Sequence, residues 1–313
     1  MSIFILAPNE NWICDRFVEE WKNTNPLSTT ENIYESSIVW LLADWCWNQV
    51  PEEVLSTKKV VVSVHHITPD KFGDVEKDDF ENRDKYVDLY HVPCEKTKEQ
   101  ITPYTKKPIW VQPFWVNDKL WFETSKEEKT ELRKKMGLDD SHILIGSFQR
   151  DTEGHDLISP KLEKGPDLFC DAVEELSKHY QEQGKEVRVF LAGWRRQYVM
   201  KRLDEANIKY YYAELPPFEL VNKLYNALDL YIVAARYEGG PQAIVECALT
   251  KTPIVSTDVG LSSDFLPPHS LFEPGRILDV KPDVDYAYDK VQEIVMPVGF
   301  IPFVKKFKDL GVE

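Results

Sequence analysis

Cysteine is scarce in this chain: five residues of 313, Cys14, Cys46, Cys94, Cys170 and Cys247, an odd number with no C-x-x-C pair. They read as free thiols of a reducing compartment. Positive charge is also short. The 38 Lys and Arg against 53 Asp and Glu leave a formal charge of −15, which excludes a nucleic-acid backbone as partner, since that needs a basic footprint. No stretch reaches the roughly 18 apolar residues of a membrane span, and MSIFILAPNENW lacks the basic start and apolar length of a secretory leader, so a cytoplasmic protein is expected. The 13 glycines nowhere form G-x-G-x-x-G after a strand, which excludes a NAD-dependent dehydrogenase. Repeats and low-complexity segments are absent. With 42% hydrophobic residues, the chain has length and apolar content for two modest domains.

The most informative stretch is LDLYIVAARYEGGPQAIVECALTKTPIVSTDVG, residues 228–260. It predicts a buried strand from Leu228 to Ala235, a turn from Tyr237 to Gly240, a helix from Pro241 to about Thr250, and a strand from Pro253. Proline suits the first helical position because the amide it lacks has no partner there. The amides of Gln242, Ala243 and Ile244 then carry the positive end of the helix dipole, an anion seat. Glu238 and Glu246 flank it. Carboxylates beside an anion make sense when they accept hydrogen bonds from hydroxyls of the same ligand, and phosphates between hydroxyl-rich rings describe a sugar nucleotide. Two glutamates eight apart are usually solvated side chains; Gly239, Gly240 and Pro241 between them, at a strand-to-helix switch, favour a site.

RYEGGPQAIVECALTKTPIVSTDVG resembles the E-x7-E signature and following strand of retaining glycosyltransferases of the GT-B fold, those of glycosyltransferase family four in particular. The resemblance extends over Ile143 to Gly260 and more loosely over Ile3 to Phe122. It implies an α/β architecture of two Rossmann-like domains facing each other across a cleft. HILIGSFQR ends in Arg150, and Lys164-Gly165 opens the helix from Pro166 to Tyr180; in the family an arginine and lysine so placed hold the donor diphosphate. Such cations stabilise a departing phosphate without a metal. Lys161, at the end of the insertion DTEGHDLISPKLE, is a rival for the Lys164 role. Gly193, where the strand in VRVFLAGW is expected to end, matches a glycine that faces the nucleotide in the family, and Glu214-Leu215 lies where family members hold the base through backbone atoms. Trp194, Arg195 and Arg196 read as a helix N-terminus with solvated arginines, with contact to base or phosphate as the alternative.

In the first half, the loop Pro8 to Trp12 carries no glycine, a departure from the family that leaves Asn9, Glu10, Asn11 and Asp15 as acceptor-side polar groups, with capping by Asn11 as the rival reading. KKVVVSVHHI ends in His65-His66. No Cys, Asp or Glu cluster lies close enough in sequence to complete a metal site there; His65 aligns with a family histidine that reaches the donor sugar, and each reads equally as a buried histidine. Eight of nine tryptophans lie at or before Trp121. Most are assigned to core, with Trp12, Trp45 and Trp47 as candidates for stacking on an acceptor sugar.

The domains are placed at 1–122 (acceptor) and 141–297 (donor), joined by a linker over 123–140, with the helix at about 298–313 packing back on the first. The expected reaction is transfer of a hexosyl group from a nucleotide-diphosphate sugar to a hydroxyl acceptor, needing no cofactor or metal. The resemblance implies retention; inversion would need a base such as Glu10, Asp15 or His65. A nucleotide-sugar epimerase and a non-catalytic sugar-nucleotide-binding module are the rival classes. Peripheral membrane contact through the terminal helix stays open.

Overall fold

A computed structural model describes residues 1–10 and 13–311. It divides into two compact units, Met1–Trp115 with Met296–Glu313, and Val116–Val295. The first boundary thus falls at 115 rather than 122.

The first unit is a five-stranded parallel sheet in the order β1-β2-β3-β4-β5 (Ile3–Leu6, Ile38–Leu41, Lys59–Ser63, Leu89–Val92 and Ile109–Val111). Every strand of β2, β3 and β4 is apolar along nearly its whole length, as a sheet covered on both faces requires. One face packs on α1 (Ile13–Thr24) through Phe17 and Trp21. The other packs on α2 (Glu52–Leu55), α3 (Asp74–Asp84) and α4 (Glu95–Ile101) through Val54, Phe80 and Ile101. Sequence neighbours are sheet neighbours throughout, so this sheet has no point at which the strand order reverses.

In the second unit, α5 (Lys126–Lys135) precedes β6 (His142–Ser147), α6 (Pro166–Glu182), β7 (Glu186–Ala192), α7 (Gln197–Glu205), β8 (Tyr210–Ala213) and α8 (Phe218–Ala227). There follow β9 (Leu230–Val233), α9 (Gln242–Thr250), β10 (Ile254–Ser256), α10 (Ser262–Phe265) and α11 (Val284–Val291). The strands are all parallel in the order β10-β9-β6-β7-β8, the doubly wound arrangement, with its reversal between β6 and β9. Beyond β10, Ser256 and Leu271 form a single parallel bridge.

The stretch 123–140 is part of the second unit and no free linker. Asn222 of α8 accepts from the Phe122 amide (3.0 Å) and Asn226 from the Thr124 amide (2.8 Å). Arg133 of α5 donates to Asp229 (2.8 Å) and to the Ala227 carbonyl (2.9 Å). Its charge run is solvated on one face and tied down on the other.

The chain returns to the first unit with α12 (Ile301–Gly311), which inserts Phe303 and Phe307 among Trp21, Trp40, Trp110 and Trp115. Trp115 fills this core, and its indole N–H donates to Glu20 (2.8 Å). Beneath it runs a buried polar chain: Trp40 Nε1 donates to Ser63 Oγ (2.9 Å), Ser63 to His91 Nδ1 (2.8 Å), and His91 Nε2 to the Gln112 carbonyl (2.8 Å). A carbonyl only accepts, so the neutral ring carries its proton on Nε2. Burial pushes the His91 pKa from 6.5 down to about 3.

That shift predicts a stability loss on acidification. Above pH 6.5 neither state binds a proton at His91; as pH falls towards 3 the unfolded chain gains one that the folded chain refuses. Stability should therefore drop by up to about 1.4 kcal/mol per pH unit below that point. Urea melts between pH 7.5 and 5 check it: His91→Asn should flatten the slope, and an unchanged slope would place its origin elsewhere.

Candidate functional site

Where strand order reverses, between β6 and β9, the segments leaving the two strands part at their carboxyl ends, the place where open α/β sheets bind ligands. The segment after β6 runs through Gln149 and Arg150, and the one after β9 through Ala234 to Gly240. The turn Leu162–Lys164 before α6 comes between them. Three sets of contacts fix it there. The Glu163 carbonyl accepts from the amides of Arg236 (2.8 Å) and Tyr237 (3.1 Å). Gln149 Nε2 donates to the Lys164 carbonyl (2.9 Å). Arg236 forms a two-pronged pair with Asp167 (2.8 and 2.6 Å) and donates to the Leu162 carbonyl (2.9 Å).

Gly165 makes this approach feasible. Its φ is +60°, and a Cβ there would run into the Ala234 carbonyl. Gly260, with φ +53°, is pressed against the carbonyls of Glu238 and Gly239 in the same way, and the Leu261 amide donates to Gly239 (2.9 Å). Both glycines lie in the segments singled out from sequence. Together they set the height of the Glu238 turn from either side.

The geometry brings Lys164 and Glu238 into direct contact, ammonium to carboxylate, with both side chains largely buried. Lys161 stands close by but pairs with Glu163 (3.4 Å); burial, and then the Lys164 charge, push its pKa down. Contact with Glu238 distinguishes Lys164 from its rival. Arg150 donates through Nε to the Thr152 carbonyl (2.8 Å), and burial, then Arg195, disfavour its charged form. The insertion between them is a small hairpin closed by the Thr152–Pro160 bridge and an Asp156 turn.

α9 starts at Gln242 with Pro241 as its cap. Of the three amides expected to face an anion, that of Ile244 is already given to the Pro241 carbonyl (3.0 Å), leaving Gln242 and Ala243 for the role. Glu246 is only 7% exposed, and Tyr225 donates to its carboxylate (2.9 Å). Burial and that carboxylate hold the Tyr225 hydroxyl far above its usual pKa, so it stays a donor. Tyr225 was not read from sequence. In YNALDLYI it looks like any core aromatic, and only the fold sets α8 beside α9.

Gly193 follows β7 directly, with φ +98°, and the exposed Glu214-Leu215 pair follows β8, Leu215 at φ +45°. The reading of Arg196 needs correcting. It is 1% exposed, pairs with Asp151 (2.9 Å) and donates to the Ala192 carbonyl (2.8 Å) and to Ser147 Oγ (3.1 Å), which makes it a buried brace between the ends of β6 and β7.

In the first unit, Asn9, Glu10, Asp15 and His65 gather at the carboxyl edge of the sheet. The Asn9 amide donates to Asp15 (3.1 Å). His65 Nε2 donates to the Leu42 carbonyl (2.8 Å), which assigns its lone pair to Nδ1. Burial and the nearby Asp15, Cys46, Glu10 and Asp44 push the Cys14 thiol up, so it is no nucleophile. His66 lies half-buried beside this edge. Trp45 is exposed, and Trp47 donates to Asp79 (2.9 Å). Asn11 and Trp12 lie outside the described residues.

The close approach at Gly165 is testable. Gly165→Ala should cost roughly 3 kcal/mol or more in urea unfolding, whereas Gly137→Ala, also at positive φ (+70°) but with open space around it, should cost only about 1 kcal/mol. Equal costs would show that backbone strain alone, and no contact with Ala234, explains the glycine.

Comparison with known proteins places this arrangement. Residues 157–294 match the family model "Glycosyl transferases group 1". The curated mannosyltransferase LpsB of lipopolysaccharide core biosynthesis, from Rhizobium meliloti, is 29% identical over 166 residues, 51% of this chain, which spans 44% of the relative's length. Among solved structures, Anabaena HepE with UDP and glucose superposes with a TM-score of 0.75 over 98% of this chain and 99% of its own, at 11% identity. Sucrose-phosphate synthase from Thermosynechococcus elongatus gives 0.69 over 97% and 80%, at 13% identity. The chain therefore has the GT-B fold, and residues 157–294 of its second unit are similar to the group 1 glycosyl transferases.

Proposed function

We propose that the protein is a glycosyltransferase that moves a hexosyl group from a nucleotide-diphosphate sugar to a hydroxyl acceptor. The observation that carries this reading is the meeting of Lys164 with Glu238 at the strand-order reversal of the second sheet, with Arg150 and the first turn of α9 at the same edge. A cation for phosphate and an acceptor-only carboxylate for sugar hydroxyls, held in contact, match the two chemically opposite ends of one ligand.

In this mechanism the diphosphate sits on Lys164, Arg150 and the amides of Gln242 and Ala243. Negative charge grows there as the anomeric carbon–oxygen bond breaks, and donors already fixed in place stabilise it most in the transition state. Glu238 and the Gly239-Gly240 backbone hold the donor sugar. Glu246, oriented by Tyr225, accepts from the ribose hydroxyls. The ligand displaces Glu238 as the partner of Lys164, which turns that carboxylate towards the sugar.

Retention follows if the departing phosphate takes the acceptor proton on the same face; an inverting course would draw on Glu10, Asp15 or His65. The LpsB likeness favours a saccharide acceptor, and the UDP of HepE a uridine donor. No divalent ion is needed for charge neutralisation in this scheme, because the arginine, lysine and helix terminus supply it. Among the described residues there is no cluster of three or more His, Cys, Asp or Glu that could hold a metal, and no helix long and apolar enough to cross a membrane.

Glu238→Ala should lower kcat by at least about 100-fold with the melting curve of the free protein preserved. Tyr225→Phe should raise the donor KM several-fold with little change in kcat, since it removes one hydrogen bond from the group that holds ribose. Steady-state transfer assays decide both: a fully active Glu238→Ala would remove the assignment, and a Tyr225→Phe effect confined to kcat would take Glu246 off the ribose.

A further inference from the structure

The strands of the first sheet all run the same way, so the sheet has a second end, the amino edge, remote from the carboxyl edge where Asn9, Glu10, Asp15 and His65 gather. Along β3, a strand of 5 residues, the two ends lie roughly 15 Å apart. The amino edge holds an open cavity of about 770 Å³, a size that suits a small-molecule ligand. The segments that enter β2, β3, β4 and β5 all line it, and three of these entries bring lysine: Lys58 and Lys59 at β3, Lys85 before β4 and Lys107 before β5. Adjacent parallel strands are about 4.8 Å apart, so three successive entries spread the cations over roughly 10 Å. Far apart in sequence, they are collected only by the fold.

The chain has an acidic excess of 15 charges, yet a single carboxylate, that of Asp88, lines this cavity. It is already engaged: one oxygen accepts from the Val60 amide (2.8 Å) and the other faces Lys59 (3.6 Å). The remaining three lysines have no ion pair among the described residues. Lys58 donates to the Tyr34 carbonyl (2.8 Å) and Lys85 to the side-chain oxygen of Asn82 (2.8 Å), both neutral acceptors. Lys107 and the Ser56 hydroxyl, on the same wall, have no side-chain partner among the described residues. Other lysines of this chain are set against acids, as in Lys22–Glu31, Lys98–Glu95 and Lys251–Glu123. Like charges gathered on one wall repel each other, and an anion with several charges relieves that repulsion.

We propose that this cavity binds a soluble small molecule carrying several phosphate groups, distributed over Lys58, Lys85 and Lys107, with the Ser56 hydroxyl as a further donor. Spread over three strand entries, the lysines match phosphates around one small ring better than a lone phosphate. An ammonium group is a compact point charge with three donors, so it takes phosphate oxygens without a fixed orientation. A phospholipid headgroup offers the same chemistry, but no exposed large apolar side chain lines the cavity to enter a bilayer, which favours the soluble ligand.

Isothermal titration of the whole chain with myo-inositol hexakisphosphate, and with myo-inositol as its uncharged control, tests this. Wild type should bind the phosphate ester and not the polyol. Lys58→Gln, Lys85→Gln and Lys107→Gln combined should weaken binding by about 10-fold or more, since three charged contacts are lost together. Combined Lys126→Gln, Lys178→Gln and Lys201→Gln, at exposed lysines of the second unit, should leave it unchanged, as should Lys164→Ala. Equal weakening by the two triple variants would reduce the effect to net charge, and weakening by Lys164→Ala alone would move the ligand to the donor site. Either overturns the proposal, as does wild type that binds no ester. Co-sedimentation with phosphatidylcholine vesicles containing phosphatidylinositol bisphosphate separates the two sources: binding to these vesicles without binding of the soluble ester would assign the lysines to a membrane surface and overturn the soluble ligand. Melting curves without ligand confirm that each variant is folded before titration.

Discussion

The second unit depends on two places where main chains meet too closely for a Cβ. Gly165 against the Ala234 carbonyl, and Gly260 against those of Glu238 and Gly239, fix how far the segments leaving β6 and β9 can separate. Everything chemical at this edge inherits its position from that constraint. Lys164 precedes the first glycine by one residue, and Glu238 lies under the second, so their contact is a property of the backbone rather than of two flexible side chains finding each other. Arg236 and Asp167 reinforce the same junction from its outer side.

Charge is distributed unevenly around this junction. Lys161 is matched by Glu163, Arg236 by Asp167, Arg196 by Asp151 and Lys164 by Glu238. Arg150 and Arg195 are left with carbonyl oxygens as their acceptors. Nearby carboxylates, Glu153 and Glu163 for Arg150 and Asp156 for Arg195, offset part of the cost of burying these cations. The first unit shows the opposite economy: its aromatic core, closed by Phe303 and Phe307, satisfies Trp40, Ser63 and His91 internally and leaves its polar groups for the two ends of the sheet.

Much of this was legible in the sequence because it is local. A buried strand, two glycines, a proline and an apolar helix in succession announce a strand-to-helix switch, and the E-x7-E resemblance adds its chemistry. The candidate residues Arg150, Lys164 and Glu238 sit beyond or at element ends and Glu246 inside α9, elements that hydrophobic patterning locates. What patterning cannot give is the identity of tertiary partners. Arg195 and Arg196 are adjacent and alike in sequence, yet one bends over an exposed indole and the other is a sealed brace, a difference decided by Asp151 some 45 positions away. Tyr225 and the Asn222 and Asn226 anchors escaped for the same reason, and with them the integration of residues 123–140 into the second unit. The amide of Ile244 was misassigned because helix starts are uncertain by a residue, and one residue decides which amides remain unspent.

The central claim is that the reversal point of the second sheet binds a nucleotide-diphosphate sugar. Its most direct test is a thermal-shift series with UDP-, GDP-, dTDP- and ADP-sugars, because a ligand that binds only the folded state raises the melting temperature, by an amount equivalent to about 2.7 kcal/mol at a hundred times its Kd. The account predicts stabilisation by one nucleotide class, strongest for the uridine donors, and its loss in Glu246→Ala. Melting temperatures unmoved by all four classes at millimolar concentration, with and without Mg²⁺, would contradict it.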